Sequence, residues 1–525
     1  MLNDLYHPDV KVRRRAIWTL SKKGEPAVRI LVHALRDADP DIRRRAARAL
    51  GKISSPRAVQ SLIPVLGDTE TKVRLEVARA LKKIGPPARD FLITALHNVD
   101  KDVRAMAAFL LGEIGDKWAI DPLIYVLGDQ RDLVRKHAAA ALGKLADPHA
   151  IEALIDALSD PNYAVRNAVT TALIKIGDPA FSAMVESLRD YDWVRRMNVA
   201  AALGQSGNPR VVHALVEVLS DHYEMVRQSA AEALGDLGSA LAVSPLIKAL
   251  KDPSHAVRAM AAMALGQIGE QAAVPALIEA ARDPVHDVRA YVALSLGEIE
   301  DKRVVSPLIS LLEDRDEDVR AQAAFSLGKI RPKDAVYALI ERMGDENVQV
   351  RGYAVSALGE IGDQKAITSL IAILEKQDET LGDLAASALV KIGEPATQPL
   401  MLLTRHPDRD VQQRARKALW QIDEKYPRKP DSKRVPTTPR KPGSKRVHSK
   451  PRKPGSKRVH SKPRKPGSKR VHSKPREPDS KRVHSKPRRK ATSQLGKAIL
   501  KMTGKLPDLD KVIRKTTGEQ QKRDE

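Results

Sequence analysis

A unit of about 31 residues recurs about fourteen times between Met1 and roughly Lys425, written most plainly as D-x5-V-R-x2-A-A-x-A-L-G-x-I-G-D and followed by a second apolar stretch of type P-L-I-x-A-L. A unit this small cannot bury its own apolar faces, so it must stack on its neighbours. The result is a solenoid, which grows without a central core. The marker pair runs through Val12-Arg13, Ile42-Arg43, Val73-Arg74, Val103-Arg104, Val134-Arg135, Val165-Arg166, Val226-Arg227, Val257-Arg258, Val288-Arg289, Val319-Arg320 and Val350-Arg351, at steps of 30 or 31 residues almost throughout. In one unit the frame slips, because Leu203 lies seven places after Arg196, which takes the repeated position in place of Arg195. Two further units, near Gly382 and Gln412, keep the apolar frame and lose the arginine. Terminal units of a solenoid are often atypical in this way, since they face water on one side.

Residues 252–269, DPSHAVRAMAAMALGQIG, show why each unit should be a helix pair. Val257, Ala261 and Leu265 fall at four-residue steps with Ala262 and Ala264 beside them, one apolar stripe on a helix. Gly266 and Gly269 lie in the last turn and just past it, where glycine serves a left-handed cap. The next run carries Val274, Leu277, Ile278 and Ala281 at helical spacing, with Pro275 early, where a missing N–H does no harm. No period-2 alternation or Asn-Gly hairpin signal interrupts the array. The expected fold is all-α, a right-handed solenoid of helix pairs over residues 1–425.

The net charge of +25 is not spread along the chain. Residues 1–425 hold 57 Lys and Arg against 58 Asp and Glu, whereas residues 426–490 hold 26 against 3 and residues 491–525 hold 8 against 5. The basic stretch is a 12-residue repeat, RKPGSKRVHSKP, complete at 440–451, 452–463 and 464–475, with divergent copies from Arg428 and Arg476. One valine per unit cannot offset the entropy of ordering, and the prolines break helices, so residues 426–490 should be disordered. The composition resembles linker-histone tails. Lys441, Lys445, Arg446, Lys450, Arg452, Lys453, Lys457, Arg458, Lys462, Arg464, Lys465, Lys469, Arg470 and Lys474 are the expected polyanion contacts, neutralising DNA or RNA phosphates without reading sequence. In residues 491–525, Leu495, Ile499 and Met502 against Lys497, Lys501 and Lys505 predict a short amphipathic helix, suited to docking on protein and less well to an anionic membrane.

Cysteine is absent, which excludes disulfides, thiol nucleophiles and cysteine metal sites and fits a reducing compartment. No apolar leader opens the chain and no run approaches 18 apolar residues, so a soluble, cytoplasmic protein is expected. Aromatic residues are 3% of the chain, too few to line a cofactor pocket, and the histidines of the array stand singly without H-x3-H or H-E-x-x-H spacing. No catalytic residue, metal, cofactor or small-molecule substrate is expected.

The repeat resembles the HEAT-like repeats of the phycocyanobilin-lyase type, a shortened form of the HEAT and armadillo solenoids, over roughly four-fifths of the chain. Tetratricopeptide and ankyrin signatures are missing. The resemblance implies that the repeated Asp and Arg side chains form a hydrogen-bonded ladder between units. That assigns a structural role to Arg43, Arg74, Arg104, Arg135, Arg166, Arg196, Arg227, Arg258, Arg289, Arg320 and Arg351, most with an aspartate six residues earlier, as Asp37 precedes Arg43 and Asp252 precedes Arg258. Related iron-dependent hydroxylases use His-Glu dipeptides, which do not occur here, so that activity is not carried over. Lyase chemistry follows from the repeat's name alone, and Trp118, Trp193 and Asp192 match the HEAT-like glycosylases only weakly.

If the arginine faces the neighbouring unit, the positions one, two and five residues later turn toward a concave groove. In the first three units they include Arg14, Arg15, Trp18, Arg44, Arg45, Arg48 and Arg79, a basic strip suited to phosphates or an acidic partner. Farther on they become Met106, His137, Met260, Tyr291, Gln322 and Tyr353, so the groove should pass from basic to mildly apolar. The expected function is a non-enzymatic scaffold, with a protein partner in the groove and nucleic acid on the tail. An enzyme acting through the groove and an anionic-membrane adaptor are the alternatives.

Overall fold

In the computed structural model the described residues are 2–375 and 379–425. The basic repeats, the segment after them and the expectations placed on both lie outside that range. The described chain is helical with no strand. Fourteen long helices, from Val10–Ser21 and Pro40–Ile53 to Arg409–Lys425, alternate with short ones, most of which open in a 3-10 turn such as Pro56–Ala58. None of these helices is long and apolar enough to cross a membrane.

Short polar side chains start the long helices. Asp39, Asp100, Asn162, Asp192 and Asn347 each accept a hydrogen bond from the N–H two residues on, pairing a donor the helix itself leaves free. Seven of the long helices end on a left-handed residue, a glycine at Gly115, Gly238, Gly269 and Gly362. The marker valine or isoleucine and the leucine eight positions after it, as Ile42 with Leu50 and Val257 with Leu265, are fully buried and form the continuous core between the two helix layers. Each such leucine contributes about 2 kcal/mol by leaving water.

Long helices of successive units stack at very short range. A Cβ placed on Gly112 would lie 2.6 Å from the Cα of Ala141, and one on Gly204 equally near Ala233. The glycine of A-L-G is therefore a contact surface, allowing helix axes to approach as no side chain would.

That stacking is interrupted. After four units the step to the next repeated position is 30 residues, between arginines at three of them and from Gly382 to Gln412 at the last, and the link reads Gly-x-Pro-Ala: Gly24 to Ala27, Gly85 to Ala88, Gly177 to Ala180 and Gly393 to Ala396. These glycines take φ of 70, 75, 84 and 86° with ψ of −143, −138, −140 and −136°, a region closed to residues with a Cβ. At all four links another residue replaces the stacking glycine, Ser21, Lys82, Ile174 and Val390, and at those of Lys82 and Ile174 the long helices on either side hardly meet. Lys101–Ile114 packs instead on Ile63–Gly67, and Trp193–Gln205 on Ala157–Ser159. Two seams thus divide the array, near Gly85 and near Gly177.

Candidate partner-binding surface

The repeated arginine works as the sequence suggests, between units. Arg227 sends Nε and Nη2 to the Asp252 carboxylate of the next unit at 2.7 and 2.8 Å, while Nη1 donates to the carbonyls of Asp221 and His222 at 2.9 and 3.1 Å. The same fork joins Arg13 to Asp37, Arg43 to Asp68, Arg104 to Asp129, Arg135 to Asp160, Arg196 to Asp221, Arg258 to Asp283, Arg289 to Asp314 and Arg320 to Asp345. Burial would raise the Asp221 and Asp283 carboxyls, but hydrogen bonds from Arg196 and Arg258 and from backbone N–H groups outweigh it and hold both below the usual range. Arg351 bonds the carbonyls of Asp345 and Glu346 at 2.9 and 3.0 Å.

Among the described residues two rungs depart from the expected ladder, and both sit at the seams. Asn98 stands where the next aspartate would meet Arg74, whose Nη2 turns back to the Thr71 hydroxyl at 3.0 Å. Arg166 keeps its two carbonyl bonds, to Asp160 and Pro161, but Asp190 pairs with Arg195, whose Nε lies 3.4 Å from its Oδ2.

With the arginine held against its neighbour, the exposed or half-buried face of each long helix lies two residues before it and two, five and nine after it, as at Ala256, Met260, Met263 and Gln267 around Arg258. The position one residue later joins that face only in places: Leu75, Lys136 and Asn167 are exposed there, Ala105, Ala259 and Ala321 are buried, and Arg14 and Arg44, expected in the groove, turn sideways to Asp41. Arg45 also reaches Asp41, at 2.8 Å, and Arg48 grips Glu76 at 3.0 and 2.9 Å with Arg79 at 3.4 Å. The basic strip is therefore a network in which two carboxylates serve several arginines. Burial would raise the Asp41 carboxyl, but hydrogen bonds from Arg45 and Arg44 and the charges of Arg45 and Arg14 bring it down to about 2. Arg48's hydrogen bonds hold Glu76 low against the effect of burial. Arg15 is exposed, and Trp18 is 60% exposed with the Lys22 ammonium 3.6 Å from its ring centre.

The face changes character along the array, as expected. Met106 and Phe109 precede His137, whose ring meets Phe109 edge-on at 5.8 Å, and burial and then Lys136 push the His137 imidazole down. Glu232 and Asp236 follow; both touch water, yet the protein around them displaces enough of it to raise their carboxyls, and Asp236 adds to the effect on Glu232. Beyond them Met260, Met263, Tyr291, Gln322, Phe325 and Tyr353 are half-buried, with Phe325 edge-on to Tyr353 at 5.8 Å. Sequence reasoning missed Lys11, Lys22, Lys52, Lys72 and Lys83, two before or nine after their arginines, and also Phe109 and Phe325 at the same five-residue offset as Trp18. The signal was the step of three and four residues on a helix.

Between Tyr163–Ile176 and Trp193–Gln205 the seam opens as a cleft of about 170 Å³ on this face, lined by Tyr163, Arg166, Asn167, Asn198, Gln228 and Glu232 among others. The residues considered for glycosylase-like chemistry do not converge. Asp192 caps a helix, Trp193 stacks on Tyr223 at 5.6 Å, and Trp118 opens a short helix in the other layer. Among the described residues no three His, Cys, Asp or Glu side chains group as metal ligands.

Comparison with known proteins bears on the fold. The solved karyopherin Kap121p bound to Nup53p is 14% identical, with a TM-score of 0.52, over 81% of this chain and 53% of Kap121p. Kap95p, in a complex with RanGDP, is 13% identical with a TM-score of 0.50, over 81% of this chain and 72% of its own. The CpcE–CpcF phycocyanin lyase complex of Nostoc sp. PCC7120 is 22% identical over 46% of this chain and 94% of that one, with a TM-score of 0.30. No curated protein matches in sequence. Overlapping windows from 1–82 through 120–204 and 215–290 to 338–420 match the family described as HEAT repeats. The chain belongs to the HEAT-repeat family.

Proposed function

We propose that this protein is a non-enzymatic, cytoplasmic scaffold whose long-helix face holds a protein partner and whose basic tail holds nucleic acid. The supporting observation is the graded face: cationic around Arg15, Arg45, Arg48 and Trp18, then methionine- and tyrosine-lined from Met260 to Tyr353. Half-buried aromatic and methionine side chains flanked by arginine are the composition of protein-binding hot spots. A partner segment with an acidic end and an apolar end would meet both. Kap121p, built on a comparable array, has been solved bound to Nup53p, a precedent for an array of this kind holding a protein. The phycocyanobilin-lyase-like form describes the length of the repeat and carries no bilin chemistry into the proposal. The tail's role rests on composition, five Lys or Arg in each complete 12-residue unit.

The test of the face is cross-linking of the full chain to its partners, compared with Arg45→Glu/Arg48→Glu and Tyr291→Ala/Phe325→Ala/Tyr353→Ala variants. Loss of the same partners from both variants, with helical content unchanged, is expected. An unchanged set of partners in both overturns the proposed surface. For the tail, DNA and RNA affinity of the full chain is measured across a salt series against a variant with the tail Lys and Arg replaced by Gln. A steep salt slope that vanishes in the variant is expected.

A further inference from the structure

The rung at Arg166 is open, and its geometry defines a ligand. In nine other units the same arginine at the same helical position holds a carboxylate between Nε and Nη2, as at Arg135 on Asp160 and Arg196 on Asp221. Here Nη1 is fixed by the carbonyls of Asp160 and Pro161 at 2.8 and 3.1 Å, so the guanidinium plane is set as it is elsewhere. Its natural partner has been drawn off. Asp190 Oδ1 keeps the bond from the N–H two residues on that the paired aspartates also accept, as Asp68 does from Glu70, but its Oδ2 lies 3.4 Å from Nε of Arg195, the extra arginine at the frame slip. Arg195 is itself tied across the seam to Glu152 at 3.1 Å and to Asp156. Among the described residues no carboxylate reaches the Arg166 fork.

The fork also has space before it. Because the flanking long helices part at this seam, Arg166 lines the cleft of about 170 Å³, with the Tyr163 ring centre 5.8 Å from its guanidinium carbon. Asn167, Asn198 and Gln228 supply neutral donors and acceptors to the same cleft. A planar fork with pre-set orientation selects carboxylate and phosphate groups. The Glu232 carboxyl on the cleft wall opposes a polyanion but tolerates a single negative charge set in an otherwise neutral or basic segment. Arg74, at the other seam, offers no equal opening, since its Nη2 is taken by Thr71.

We propose that the Arg166 fork receives the side-chain carboxylate of a Glu or Asp in a bound partner segment, which completes the interrupted rung. This rests on the reading of the long-helix face as a protein-binding surface, and it names one contact that surface makes.

The full chain, labelled with 15N at arginine, tests it. The Arg166 Nε–H resonance, identified by its loss in Arg166→Lys, is followed during titration with N-acetylglutamate methylamide, N-acetylglutamine methylamide, acetate and inorganic phosphate. The glutamate compound should move it saturably, at a concentration at least about tenfold below that needed for the glutamine compound, as a charge-assisted bidentate contact requires. Acetate acting as strongly would assign the cleft to free small carboxylates and overturn the peptide. A stronger response to phosphate, or no response to any probe, overturns the carboxylate site. The partner cross-linking of Arg45→Glu/Arg48→Glu does not involve this fork, so the two readings fail separately.

Discussion

The pairing of Arg320 with Asp345 shows what one rung is worth. Both side chains are nearly enclosed, 7% and 3% exposed, and both Nε and Nη2 reach the carboxylate, at 2.8 and 2.9 Å. Asp345→Ala would leave the nearly enclosed guanidinium with only the exposed Glu346 carboxylate, 3.5 Å from Nη2, and should lower unfolding stability by about 3 kcal/mol, read from chemical denaturation. Asp41→Ala, whose arginines are 29 to 45% exposed, should cost less by the same measurement, about 1–2 kcal/mol, because water screens part of the loss. The ladder also fixes the response to acid. The Asp68, Asp129, Asp221, Asp283, Asp314 and Asp345 carboxyls lie lower in the folded chain than in an unfolded one, where burial is outweighed by their arginines. Their contribution is complete above the unfolded value of about 4 and is lost as pH falls from there through the lowered folded values. Circular dichroism at graded pH should therefore show a steep fall below about pH 4, preceded by a smaller decline from about 6.5 that comes from the depressed His137 imidazole; a His137→Gln variant that keeps the decline from neutrality would contradict this assignment. The arginine row was legible in the sequence. Of the three neighbours expected to face the groove, +2 and +5 lie on the open face and +1 lies at its edge, for a geometric reason. At about 100° per residue the positions −2, +2, +5 and +9 cluster around 170° from the arginine, whereas +1 stands only about 100° away, exposed at Leu75, Lys136 and Asn167 but buried at Ala105, Ala259 and Ala321.

Between residues and array, the stacking of long helices turns on single glycines. In Gly112→Ala the new methyl would meet the Ala141 backbone at 2.6 Å. The helix-propensity gain of about 1 kcal/mol is smaller than the strain of forcing two helices apart, of order 1–3 kcal/mol, so the variant should be destabilised. Gly352 supplies the contrast. It lies inside the long helix Val348–Ile361, and a methyl there would sit 3.6 Å from Leu384 Cδ1, ordinary contact. Gly352→Ala should gain up to about 1 kcal/mol. Opposite shifts of the urea midpoint for the two variants are expected, and equal shifts would show that helix propensity alone is at work. Helix pairs, caps and core positions were all readable from period and turn residues. The seams were present in the same letters, as 30-residue steps and Gly-x-Pro-Ala links, but a one-residue deletion does not announce that a helix will change its packing partner. That follows only once Gly177 is seen at φ 84° and Trp193–Gln205 is found on Ala157–Ser159.

For the array as a whole, stability is a sum of unit terms and nearest-neighbour interface terms, and the seams are where the interface term is deficient. At Gly85 and Gly177 the long-helix stack and the arginine rung fail together, so neither packing nor the ladder ties one side to the other as elsewhere. From residue 178 to 361 the step is 31 residues throughout, the long helices stack on one another, and Arg196 through Arg320 each hold the next aspartate. This long stretch should open as one cooperative unit, while residues 86–176, bounded by a seam at each end, should open separately and at lower denaturant. Amide hydrogen exchange by mass spectrometry in rising urea resolves the two. A single transition common to both stretches would show that the short-helix contacts across the seams carry full coupling. Restoring a carboxylate to the first seam with Asn98→Asp, opposite Arg74, should raise the exchange protection of the units on either side, because it adds a rung where the interface is thinnest. The corresponding gap at Arg166 cannot be closed by such a change, since Asp190 is already in place and held by Arg195, which leaves the second seam open to a carboxylate from outside.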